Sequence, residues 1–123
     1  MRRLLTTLAI VLLLPLFACA EAAPKKLTLM VYMCGSNLES EYGAASADVL
    51  EMLASGYDMQ QVDVLLMTGG SKSWSLGFPE DKLCIYVPFR KSVRMEKAYE
   101  SASMGDPGTL AAFLSYGYTE HPA

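Results

Sequence analysis

The chain has 123 residues, is 52% hydrophobic and carries a formal net charge of −3. That is about one domain's worth of chain, and so large an apolar fraction excludes an intrinsically disordered polypeptide. The acidic balance argues against nucleic acid as a partner, because no cluster of Lys or Arg forms a phosphate-neutralising stripe. Arg90, Lys91, Arg94 and Lys97 are interleaved with apolar residues, the pattern of a solvated strand face.

The first residues have the build of an export signal. Met1-Arg2-Arg3 is a positive leader, Leu4 to Phe17 an apolar core, and Ala18, Cys19, Ala20, Ala22 and Ala23 are the small residues of a cleavage region. The apolar run is shorter than the roughly 20 residues a spanning helix needs, which favours a removable signal over residues 1–23 and places the rest outside the cytoplasm. Two cleavage routes compete. Leu16-Phe17-Ala18-Cys19 is similar to a bacterial lipobox, in which the Cys19 thiol is acylated and the protein is held on the membrane at the cell surface. Ala18-Cys19-Ala20 or Ala20-Glu21-Ala22 serves equally as a small-x-small site that releases a soluble extracellular protein. Cleavage before Cys19 removes Arg2 and Arg3 and leaves eight basic residues against 13 acidic ones.

Residues 24–123 read as one α/β unit. Leu27 to Met33 is an almost unbroken apolar run, which suits a central strand covered on both faces, and Cys34-Gly35-Ser36-Asn37 breaks it. Ala44 to Ser55 predicts an amphipathic helix with Ala45, Val49, Met52 and Leu53 on one face, closed by Gly56. Val62 to Thr68 is a second strand, parallel to the first through a right-handed crossover, and Gly69-Gly70-Ser71 ends it. Leu83 to Val87 is a third strand, and Val93 to Tyr99 a more polar fourth. Asp106 then caps a helix from Pro107 to about Tyr118, with Leu110, Phe113, Leu114, Gly117 and Tyr118 tracing its apolar face. In an α/β alternation a strand is expected next, so the expected sheet is incomplete at its C-terminal end, with an exposed edge that favours marginal stability and aggregation.

Several residues invite a chemical role. Thr68-Gly69-Gly70-Ser71-Lys72-Ser73 follows a strand but lacks the phosphate-loop spacing, and no helix opens after it, so it reads as a surface loop. Glu39, Glu41, Asp48 and Glu51 read as a loop and a solvated helix face rather than an acid/base or cation site. Cys34 and His121 are the residue types of a thiol peptidase pair. However, Cys34 reads as a packed thiol and His121 as an exposed post-helix residue. Cys34 and Cys84 either stay as buried thiols or form one disulfide; with one His in the chain, a structural zinc site has no ligand set. Trp74 reads as an anchor tying its loop to the core, with ligand contact as the alternative.

Leu29-Met30-Val31-Tyr32-Met33-Cys34-Gly35-Ser36-Asn37-Leu38-Glu39-Ser40, followed by Ala47-Asp48-Val49-Leu50-Glu51-Met52 and Gly56, resembles the opening of the clostripain-like cysteine peptidases, where a strand leads to an N-L-E loop and a helix with a D-x-x-E-M pattern. Val62 to Leu66, Trp74, Met104-Gly105-Asp106-Pro107, Thr109-Leu110 and Phe113-Leu114 continue the match in order. The resemblance implies a caspase-like three-layer α/β/α sandwich with a mostly parallel sheet. It also implies a calcium-linked endopeptidase cleaving protein or peptide substrates after basic residues. The family's catalytic His-Gly and its nucleophilic Cys lie beyond the matched motifs, so no catalytic residue is assigned. Cys34-Gly35-Ser36 stands where many relatives carry acidic residues, so no calcium ligand is located. A noncatalytic surface lipoprotein serving as a binding or structural module is the alternative.

Overall fold

The computed structural model describes residues 25–100 and 102–123. The export signal and the Cys19 lipidation site lie outside them. The elements run β1 (Leu27–Cys34), α1 (Ser36–Tyr42), α2 (Ala44–Ala54), β2 (Val62–Gly69), β3 (Lys82–Phe89), β4 (Ser92–Glu100) and α3 (Pro107–Glu120). Among the described residues no helix is long and apolar enough to cross a membrane.

The four strands form an open sheet in the order β1-β2-β3-β4. β1 and β2 are parallel, from Leu27 opposite Val62 to Cys34 opposite Gly69. The other two pairings are antiparallel, so the sheet is mixed rather than mostly parallel. The reason lies in the connections. The loop from Gly70 to Asp81 contains no helix that could carry the chain back across the sheet for a parallel return. β3 and β4 are joined by the two residues Arg90 and Lys91, which permits only a hairpin. Arg90 takes the left-handed conformation there, with φ 59°. A bulge between Ile85 and Tyr86 shifts the β3–β4 register.

β2, not β1, is the strand buried on both sides: Val64 through Gly69 are all buried. β1 lies at the sheet edge, with Leu27 and Leu29 about half exposed at 53% and 48%. Side-chain alternation divides the core in two. Leu66, Cys84 and Tyr86 face α2 and pack with Ala45 and Val49 of that helix. Leu65, Met67, Leu83 and Ile85 face the other way and pack with Phe113 of α3. The sheet therefore carries a helix on each face.

α3 begins as expected, with the Asp106 carboxylate accepting from the Gly108 N–H at 2.8 Å and Pro107 in the first turn. Its buried line is narrower than the sequence suggests. Thr109, Phe113 and Gly117 face the sheet, spaced four apart, whereas Leu110, Leu114 and Tyr118 are exposed along one flank. Gly117 sits where a Cβ would overlap the end of the Met30 side chain, so the helix lies close to β1 here and a larger residue would require that flexible side chain to move. The opposite flank faces β4, where the Tyr116 hydroxyl donates to Glu96.

α1 occupies residues expected to form a loop. It has no side-chain N-cap, Ser36 enters it at φ 49°, and Gly43 ends it in the left-handed conformation with its N–H donated to Glu39 and Leu38 carbonyls. Seven residues with so little local support are held by tertiary contact.

Replacing Phe113 with Ala is expected to cost about 3–5 kcal/mol, the usual range for a fully buried aromatic, while Leu114→Ala stays within about 0.5 kcal/mol. Urea denaturation distinguishes them; equal losses would contradict the placement of the α3 core face.

Candidate functional site

In open α/β sheets, ligands and reactive groups gather at the carboxyl ends of the parallel strands. Here that end is built by the loops after β1 and β2. The Gly35 and Ser36 N–H groups donate to the carbonyls of Gly69 (2.9 Å) and Gly70 (3.1 Å), locking the loops together. The Ser71 hydroxyl lies 3.0 Å from the Ser36 carbonyl and 2.7 Å from that of Ser73. A Cβ on Gly35 would fall 2.8 Å from Ser71 Cβ and 2.9 Å from the Trp74 ring, so only glycine lets the strand end settle on the tryptophan. Gly70, at φ +72°, lies against Cys34 Sγ. The Tyr32 hydroxyl donates to the Met104 carbonyl at 3.1 Å, bringing the Met104–Pro107 turn to the same end.

Glu39 fixes this corner from inside. It is only 1% exposed, not a solvated loop acid. Its carboxylate accepts from the Ser46 N–H (2.8 Å), the Ser46 hydroxyl (2.5 Å) and the Ser75 N–H (2.8 Å), joining α1 to α2 and to the loop that carries Trp74. Burial alone would raise its pKa. The donors from Ser46 and Ser75 outweigh that and hold the carboxyl below its ordinary value. Glu41, Asp48 and Glu51 are exposed, as expected.

Trp74 is a loop anchor, 6% exposed and 5.5 Å from the Phe78 ring, which stacks on Tyr86 at 4.6 Å. Its indole N–H is buried without a hydrogen-bond partner. Ser71 to Ser73 lie in a loop with no helix behind them, as the spacing implied. Cys34 is exposed at the strand end, not packed, while Cys84 is buried and its thiol is pushed up by that burial. The two thiols are free. β2 lies between them, Cys34 opposite Gly69 and Cys84 opposite Thr68, and two strand spacings of about 4.8 Å exceed disulfide reach.

His121 departs further from expectation. Its side chain is 17% exposed, with Nδ1 3.2 Å from Asp63 on β2 and Nε2 2.9 Å from Glu96 on β4. Glu96 also accepts from Arg94 (3.0 Å) and the Tyr116 hydroxyl (3.1 Å). Burial raises the Glu96 pKa, but its hydrogen bonds from Arg94, His121 and Tyr116 bring it below the ordinary value. The Tyr116 hydroxyl is pushed up to about 12 by burial and by the Glu96 carboxylate. This cluster lies at the end of the sheet remote from Cys34: the Thr28 hydroxyl donates to the His121 carbonyl at 2.7 Å, and Cys34 lies six residues further along β1, roughly 20 Å at strand rise. Cys34 and His121 are therefore not a catalytic pair.

Among the described residues no three His, Cys, Asp or Glu side chains converge to hold a metal ion. The carboxylates nearest the first loop do not fit a calcium site, since Glu39 is saturated by Ser46 and Ser75, and Glu41 is exposed. Comparison with family models, with curated proteins and with solved structures gives no match for this chain.

Glu39→Gln is expected to destabilise the fold by about 1–3 kcal/mol, because an amide cannot accept from all three donors. A folded pKa below the unfolded value of about 4.3 means the contribution is present above that value and lost as pH falls through the folded one. The difference in urea midpoint between the two proteins should be constant above about pH 5 and shrink below about pH 4; a difference independent of pH from 3 to 6 would contradict the buried-carboxylate role.

Proposed function

We propose that this chain is the N-terminal part of a clostripain-like cysteine endopeptidase, exported and either lipid-anchored through Cys19 or released, acting on protein or peptide substrates after basic residues. The observation that carries this is spatial. Residues separated along the chain but belonging to the same motif series meet at one end of the sheet: Gly35 against Trp74, Glu39 bonded to the Trp74 loop, and Tyr32 bonded to Met104. A motif series that converges on the carboxyl end of the parallel pair is what a peptidase needs to position a loop-borne site. Helices on both faces of the sheet are compatible with a caspase-like sandwich of which these residues form one portion.

In this proposal the described residues provide the scaffold and the strand-end rim, and the catalytic His and Cys come from segments beyond the matched motifs. Cys34 and His121 take neither role. The calcium dependence implied by the resemblance has no ligand set here, so no step is assigned to it. The separation of Cys34 from His121 also favours a second reading, a noncatalytic surface module that uses the rim for binding.

Amidolysis of a short peptide ending in arginine, measured on residues 20–123 and on the same chain with its downstream reading frame, separates the two. Thiol-dependent cleavage confined to the longer protein is expected. A reading frame without a His-Gly and later Cys, together with inactivity of both proteins, would leave the binding module. Cleavage by residues 20–123 alone would overturn the exclusion of Cys34 and His121.

A further inference from the structure

We infer that His121 is held as a doubly protonated imidazolium between Asp63 and Glu96, and that this clasp makes the attachment of the last turn of α3 dependent on pH. A neutral imidazole carries one N–H and one lone pair. With Nδ1 3.2 Å from one carboxylate oxygen and Nε2 2.9 Å from another, either neutral tautomer turns a lone pair toward a carboxylate; only the imidazolium donates to both. The inference is independent of the peptidase proposal.

The surroundings favour the cation. Among the described residues Asp63 has only the long 3.9 Å contact to Lys25 as another ionic partner. Glu96 is paired with Arg94, whose side chain is 62% exposed, so a proton on His121 is the best-shielded positive charge between the two acids. On α3, Tyr116 donates to Glu96 and Glu120 adds a further acidic side chain, while Lys97 of β4 lies over the Tyr116 ring at 5.2 Å. Tyr57, preceding β2, faces Asp63; its hydroxyl is pushed up first by burial and then by that carboxylate, and so stays neutral.

The same residue ties three strands to one helix end. Its N–H donates to the Gly117 carbonyl (3.1 Å), its carbonyl accepts from Thr28 on β1 (2.7 Å), and its ring reaches β2 and β4. Both ring links need the doubly protonated ring, so the clasp is complete only while each nitrogen carries a proton. Loss of one proton turns a lone pair toward one of the two carboxylates and so breaks the ring's link to β2 or to β4, leaving the helix end on β1, the one remaining ring bond and the Tyr116–Glu96 hydrogen bond. The groove between α3 and β1, lined by Leu27, Met30, Gly117 and Tyr118, is then free to widen.

The chain has one histidine, so ring nitrogen shifts in the purified protein report it without ambiguity. Both nitrogens protonated at pH 7 is the expected result, with Asp63→Asn and Glu96→Gln each moving the ring toward the neutral form. Hydrogen exchange of residues 118–121, corrected for intrinsic rates, should lose protection by roughly tenfold between pH 6 and pH 9, the scale of hydrogen bonds to a charged group, and H121Q should abolish that dependence. A neutral ring at pH 7, ring signals indifferent to both carboxylate substitutions, or a parallel loss of protection in H121Q would overturn the clasp. The carboxylate variants retain this test if H121Q does not fold.

Discussion

β2 must satisfy two cores at once. Leu66 fills the space beneath α2 while Leu65 and Met67 fill the space beneath α3, and all three are fully buried. A one-residue slip in its pairing would exchange the two sets, sending each row of side chains to the wrong helix. The parallel register with β1 and the antiparallel register with β3 are thereby set by one strand. Through those registers the Cys34 and Gly69 strand ends come together at one end of the sheet, and Thr28 and Asp63 at the other.

The two ends of the sheet are finished by different chemistry. At the carboxyl end of the parallel pair, neutral donors surround one buried carboxylate, Glu39, and close glycine contacts bring Trp74 beneath the first loop. At the other end, ionisable groups from three elements surround one imidazole. The first arrangement is insensitive to pH across the neutral range, because its carboxyl is held low.

Much of the fold is legible along the chain. Leu27–Met33, Val62–Thr68 and Leu83–Val87 are apolar runs bounded by Gly, Ser or charge, and α3 carries its own start signal in Asp106-Pro107. Strand direction is less so, because the first two strands take a helical crossover while the third is reached by a loop that stays on the α2 side through Trp74 and Phe78. α1 is invisible to periodicity, since its stability comes from Glu39 reaching Ser75, 36 positions away. His121 read as a loop residue for the same reason: its partners, Asp63 and Glu96, lie on strands 58 and 25 residues earlier. One signal was available, the acid of Val62-Asp63-Val64, because a carboxylate inside an apolar strand needs a partner.

The placement of β1 at the sheet edge also bears on how the chain assembles. β3 and β4 are closed by two residues and can zip from their turn, whereas the first pair of the β1–β2 register, Leu27 with Val62, joins positions 35 apart and requires α1 and α2 to be accommodated between them. Loop-closure entropy delays such a contact relative to a hairpin. β1 is thus the earliest of these strands to be synthesised, and on this topology its pairing carries a larger loop-closure cost than the β3–β4 hairpin, so an uncharged eight-residue segment waits on a distant partner.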